Sequence, residues 1–248
     1  MARIIKKPND LKKKYYKTLL MSILFHLFAF FNIGVAVVFF DILADLGKYA
    51  AIIYIIAIAV LFAIARILAR NTAIIKAGLD GESDASKVLA MLPNDYVVFQ
   101  NLKVGFKGKV SETDLVVCGP SGVFVVETKN LAGTITGDYA SKNWVQKKPN
   151  GKIKKFYSPV KQVGTHVFRL ANFLRENKIQ LRVESAVFFA KPETQVNVFG
   201  DGEHIPVFSA MHSGEEELRR YILNGTHKIS RSDLSRLIAL LENHKNNA

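Results

Sequence analysis

The chain has 248 residues, 49% apolar and 22% charged, with a net charge of +13. That length holds one α/β domain of about 150–180 residues and a smaller appendage. The single cysteine, Cys118, excludes an intramolecular disulfide scaffold and fits a reducing compartment; its apolar run makes it a buried structural thiol rather than a nucleophile. The averages conceal a division. Residues 1–70 are apolar behind a basic leader and hold 10 Lys/Arg against 3 Asp/Glu, while residues 71–248 hold 24 against 18 and read as a soluble domain. A basic surplus in both parts favours anionic partners: lipid headgroups for the first, nucleic acid for the second. Plain solubilising charge is the alternative.

Residues 1–17 form the basic leader, with Arg3, Lys6, Lys7, Lys12, Lys13, Lys14 and Lys17. Thr18 to Phe40 then runs 23 residues without an ionised side chain. As a helix it extends ~34 Å, enough for a ~30 Å hydrocarbon core. His26 and Asn32 interrupt it, and either can find a hydrogen bond on a partner helix. Tyr49 to Leu68 is a second span, charge-free until Arg66. The linker Asp41–Lys48 is short, so residues 18–70 are expected as an antiparallel transmembrane hairpin. Basic residues flank its open end, with Arg66, Arg70 and Lys76 at or beyond the second span, which predicts both termini and the soluble domain on the cytoplasmic side. The first span is too long for a signal-peptide core, and no small-x-small cleavage site follows it.

Beyond the hairpin, Ile74 to Leu92 reads as a helix that Gly78 and Gly81 interrupt, so a start near Glu82 is expected, with Pro93-Asn94-Asp95 ending it. Tyr96–Val104, Asp114–Cys118 and Val123–Thr128 read as strands, the last two joined by the turn Gly119-Pro120-Ser121-Gly122. Trp144 to Tyr157 reads as a polar hairpin turning at Pro149-Asn150-Gly151. Pro159 to Asn177 is an amphipathic helix whose apolar stripe includes Val160, Val163, Val167 and Leu170. Val183–Ala190 and Pro206–Ser209 are further strands. Ser213–Leu223 and Ser230–His244 are closing helices, each with a serine suited to its cap.

The candidate chemistry lies at Asp114, Glu127 and Lys129. A turn between Cys118 and Val123 sets Asp114 opposite Glu127 across an antiparallel ladder, and Lys129 falls on the same face as Glu127. Facing carboxylates on buried strands repel unless a cation is shared. A hard divalent ion, Mg²⁺ or Mn²⁺, suits such oxygens and would polarise a phosphoryl group. From spacing alone, the other reading is that Lys129 neutralises one acid at a strand end.

The run Glu112 to Asn130, followed by Gly133, resembles the nuclease-related (NERD) pattern: an Asp, an apolar strand, Gly-Val-Phe, then Glu-x-Lys-Asn. Gly81-Glu82, Trp144, Ser158-Pro159-Val160-Lys161-Gln162 and His166 resemble its other elements, so the likeness covers roughly residues 78–190. NERD domains are placed with the PD-(D/E)xK nucleases. The resemblance therefore implies an α/β fold: a restriction-endonuclease-like mixed sheet flanked by helices, preceded here by two transmembrane helices. It implies Asp114 and Glu127 as Mg²⁺ or Mn²⁺ ligands, Lys129 as the catalytic lysine, Glu82 as a supporting acid and Gln162 as a helix-borne site residue. Ser158 replaces a common Asn, and Glu112-Thr113 the usual Gln-Ile; neither removes a ligand. Residues 71–195 are then the nuclease-like domain and 196–248 a strand and helices packed on it.

From Tyr139 to Arg175 there are nine basic residues and no acid. Lys142, Lys147, Lys148, Lys152, Lys154, Lys155 and Lys161 with Trp144 are the expected nucleic-acid surface, a lipid-facing or merely solvated hairpin being the alternatives. His166 shares a helix face with Gln162 and by itself reads as packing or capping. Gly105–Lys109 lacks phosphate-loop spacing. The expectation is a metal-dependent nuclease of DNA or RNA at the cytoplasmic face of a bacterial inner membrane. A catalytically silent module that binds nucleic acid, anionic lipid or a protein is the alternative.

Overall fold

The structure is a computed structural model of the full chain and describes residues 1–6, 10–45, 47–200 and 205–247. The chain divides into two compact units: Pro8–Leu79, and Met1–Lys7 with Asp80–Ala248. In chain order the elements begin with β1 (Arg3–Ile5), α1 (Asp10–Val38), α2 (Phe40–Asp45) and α3 (Lys48–Ala90). Then follow β2 (Val97–Phe106), β3 (Lys109–Gly119), β4 (Gly122–Lys129), β5 (Gly133–Asp138), β6 (Asn143–Lys147) and β7 (Ile153–Tyr157). The chain continues with α4 (Pro159–Glu176), β8 (Val183–Phe189), β9 (Thr194–Phe199), β10 (Val207–Ser209), α5 (Gly214–Leu223) and α6 (Arg231–Asn247).

In the first unit α1 and the opening part of α3 pair antiparallel. Small residues let their backbones approach: Ala29 and Ala65 are fully buried, and the Ser22 hydroxyl donates to Ala65 O at 3.3 Å. Asn32 does face the partner helix, where Tyr54 OH donates to its backbone O at 2.9 Å and to its Oδ1 at 3.2 Å. The bulky apolar side chains point the other way: Leu27, Phe28, Phe31, Ile52, Ile53 and Ile55 are exposed. Leu11–Val38 and Lys48–Ala90 are long and apolar enough to cross a membrane, the most apolar 18-residue stretch of each having a mean hydropathy of 2.1 and 2.7.

α3 corrects one expectation. The sequence predicts a break near Gly78 and Gly81, yet the helix is continuous from Lys48 to Ala90. Each glycine costs a helix only about 1 kcal/mol relative to Ala. Gly81 has a packing reason to be there: a Cβ would lie 2.5 Å from the Asn130 Cβ, so only glycine lets α3 meet the chain leaving β4.

In the second unit a six-stranded mixed sheet runs β1-β2-β3-β4-β8-β10. β2, β3 and β4 form an antiparallel meander, and β4 lies parallel to β8. Period-two alternation divides the strands between two cores. Val116, Val125, Val187 and Phe189 pack with α4 (Val163, Leu170, Leu174) and α6 (Leu237, Leu241). Leu115, Val117, Phe124 and Val126 pack with the end of α3 (Val88, Leu89), with Leu92 just beyond it, and with α5 (Leu218, Ile222). Helices thus cover both faces of the sheet, which is the predicted α/β arrangement. A second sheet, β7-β6-β5-β9, forms from the crossover between β4 and β8 and from β9. β1, β5 and β9 are additions to the expected strands. Ser230 caps α6, its Oγ accepting from Asp233 N at 3.1 Å. Ser213 makes no side-chain cap; its hydroxyl donates to Glu217 Oε1 at 2.6 Å.

Candidate functional site

The β3–β4 ladder runs from Gly119↔Gly122 to Leu115↔Val126, the register that the turn predicts. Asp114 and Glu127 follow next on their strands. Alternation with Val125 sends Glu127 and Lys129 to the α4 side of the sheet, where they meet His166 and Gln162; on β3 it is Thr113 that reaches α4, and Asp114 turns toward the backbone of β4. Asp114 is half-buried, and its Oδ2 accepts from Thr128 N–H at 2.8 Å. Glu127 is only 1% exposed. Lys129 Nζ donates to Glu127 Oε1 at 2.5 Å and to Gln162 Oε1 on α4 at 3.0 Å. Serine-capped α4 brings Gln162 here: Pro159 occupies its first turn, and Ser158 Oγ accepts from Lys161 N.

His166, one turn after Gln162, completes the wall. Its Nδ1 lies 3.4 Å from Thr113 Oγ1 and its Nε2 lies 3.4 Å from Glu127 Oε2. Among the described residues neither Glu127 Oε2 nor His166 Nε2 has a hydrogen-bond partner, although both are buried. Sequence alone sets His166 aside as packing; its i+4 spacing from Gln162 is the signal for this placement. Thr113 escapes sequence reasoning, and alternation with Ser111 is its cue.

The electrostatics follow from burial. Desolvation, then the Glu127 charge, pushes Asp114 up to about 7, against opposition from Lys129 and the Thr128 N–H. Desolvation raises Glu127 as well; Lys129 opposes the rise and the charge of Glu82 adds to it. Glu82, near the end of α3, therefore acts on the site through its field. Burial, with Arg169 and Lys129 close by, lowers His166 to about 4, so at neutral pH its imidazole is uncharged.

Among the described residues no group of three or more His, Cys, Asp and Glu side chains is placed to hold a metal ion. Two carboxylates are nevertheless a fitting donor set for Mg²⁺, which keeps several waters and needs only one or two protein carboxylates. The unpartnered Glu127 Oε2 and two acids that resist ionisation are what a cation would relieve.

The expected nucleic-acid residues divide differently. Lys142 lies just before β6, Lys147 on it, Lys148 and Lys152 in the turn, Lys154 and Lys155 on β7, and Lys161 on α4. Trp144 is a correction. It is fully buried, stacked on Phe189 with ring centroids 6.5 Å apart, and its indole N–H donates to Asp138 O at 3.0 Å. It cannot stack on a base. Its burial beside Gln146 on an alternating strand is readable in principle, because Trp144 and Gln146 share one face of β6.

Two acids and a lysine thus lie at the ends of adjacent strands of a mixed sheet flanked by helices. Residues 77–190 match the family model described as NERD, nuclease-related domain. The likeness carried by the Asp114–Asn130 motif thus extends across the sheet, the crossover and α4. An uncharacterized protein of Bacillus anthracis is 31% identical over 134 residues, covering 52% of this chain and 60% of that protein. No solved structure matches the chain.

Proposed function

We propose that the protein is a divalent-metal-dependent nuclease acting on DNA or RNA phosphodiesters, tethered by its helix pair at the cytoplasmic face of a bacterial inner membrane. The observation that carries this reading is the buried Glu127 carboxylate, held by Lys129 at one oxygen and lacking a donor among the described residues at the other, with Asp114 on the neighbouring strand bound to Thr128 N–H beside it. Asp114 and Glu127 would hold Mg²⁺ or Mn²⁺, which supplies Lewis acidity toward a phosphoryl oxygen and a water of lowered pKa.

The chain's own groups have defined tasks. Thr128 N–H fixes the Asp114 carboxylate. Glu127 and Gln162 grip Lys129 from two sides, which sets its ammonium where negative charge develops on phosphate. His166, neutral, fills the space beside Glu127 without adding a competing cation. The exposed apolar faces of α1 and α3 support the membrane tether, because so much contiguous apolar surface is unfavourable in water.

The test uses the full chain in detergent micelles with labelled DNA and RNA. Cleavage is expected with Mg²⁺ or Mn²⁺, abolished by a chelator and lost in Asp114→Ala and Lys129→Ala. Cleavage surviving both substitutions removes the site from the reaction, and binding without cleavage identifies the silent module instead.

A further inference from the structure

One exposed surface is unused by the acid pair. The tip of the β2–β3 hairpin carries Phe106, Lys107, Gly108, Lys109 and Val110, and α4 lays Phe168 and Arg169 beside it. Phe168 is 59% exposed and Val110 66%. Phe106 and Phe168 meet edge to face, centroids 5.7 Å apart. Lys107 Nζ stands 5.4 Å from the Phe106 ring, and Arg169 Nη1 donates to Val110 O at 3.5 Å. An aromatic patch open to water is therefore rimmed by Lys107, Lys109 and Arg169. Glu112, the nearest acid along β3, pairs with Lys103 at 3.7 Å.

Two elements connect this patch to the acids. Along β3, Val110 precedes Asp114 by four residues, about 13 Å of strand. Along α4, Gln162 and Arg169 are seven residues apart, two turns and about 10 Å on the same side. The Thr113–His166 approach at 3.4 Å ties the two elements together midway. Both routes lead outward to the same place.

We propose that Phe168, backed by Phe106 and rimmed by Lys107, Lys109 and Arg169, is a stacking platform for unpaired bases, and that the site takes single-stranded nucleic acid. The substrate part of this inference rests on the nuclease reading above. A duplex presents backbone and base edges but keeps its base faces stacked inside. A protruding phenyl ring has a partner only where bases are free to splay out. The three cations supply the phosphate contacts that hold such a strand in place, and these weaken with salt. The platform also provides the exposed aromatic that buried Trp144 cannot.

Binding is measured by fluorescence anisotropy on the full chain in detergent with a chelator present, so that cleavage plays no part. The probe is a labelled mixed-sequence oligonucleotide, offered single-stranded or annealed to its complement. The single strand is expected to bind tighter. Phe168→Ala is expected to weaken single-strand binding roughly ten-fold and leave duplex binding unchanged, with Phe168→Trp restoring it. No loss, or an equal loss on both forms, overturns the platform. So does a Phe168→Ala chain that only changes its self-association in sedimentation, because the patch is then a protein interface. If the unmodified chain never cleaves yet shows the Phe168 dependence, the nuclease reading fails and the platform stands. If it cleaves while binding is indifferent to Phe168, the platform fails and the nuclease reading stands.

Discussion

Glu127 carries a carboxylate into a place that water does not reach, with one oxygen held by Lys129 and the other facing an imidazole that has no charge to give. Removing the lysine leaves a buried acid unpaired. Lys129→Ala is thus expected to lower cleavage by about 10²–10³, as removal of a preorganised charge stabiliser does, while Gln162→Ala, which only loosens the lysine, costs less. Rates under single-turnover conditions check both. The same environment makes stability depend on pH in opposite directions at two residues. Asp114 moves from 3.8 unfolded to about 7 folded, so between those values the folded chain holds the extra proton and stability falls as pH rises. His166 moves from 6.5 to about 4, so across that window the unfolded chain holds the extra proton and stability rises with pH. In chelator the two slopes oppose each other. Thermal unfolding of Asp114→Asn should show the rising His166 slope between pH 4 and 6.5, and His166→Gln should show the falling Asp114 slope between pH 4 and 7. Identical profiles in both variants would show that neither shift exists.

At the scale of elements, the β3–β4 hairpin was legible because alternation over two Val-rich strands and a Gly-Pro-Ser-Gly turn permit one register only. That Glu127 and Lys129 share a face was legible for the same reason. β5 was not: it begins at Gly133, buries a single apolar side chain, Ile135, beside a buried glycine, Gly137, and takes its parallel partner β9 from some sixty residues away. β1 is three residues long, too short for any period to show. The length of α3 was misread because its glycines look like breakers, whereas Gly81 answers to Asn130 across the fold. Gly81→Val should therefore destabilise the soluble unit by about 1–3 kcal/mol, as overpacking does, and Asn130→Gly should recover part of the loss; denaturant midpoints of the single and double variants measure it.

For the whole molecule, the outward-facing apolar side chains of the helix pair are the observation behind the proposed membrane tether. The basic flanks set the expected orientation. Cys118 is fully buried and burial pushes its thiol upward, so the chain already serves as a background for single-cysteine labelling. Gly47→Cys, in the turn that opens α3, should react with an impermeant maleimide added outside intact cells. Asn150→Cys, at the tip of the β6–β7 hairpin, should react only after lysis. The opposite pattern would invert the orientation.

β4 finds its second neighbour far along the chain, Val123 pairing with Val183 and Lys129 with Phe189. A ribosome that has released Asp114, Glu127 and Lys129 has made every charged group of the cluster and none of the strand and helix that desolvate it. Nascent or truncated chains ending before residue 189 are for that reason expected to lack the desolvated cluster, which closes only when synthesis has passed β8, long after α1 and α3 have left the exit tunnel.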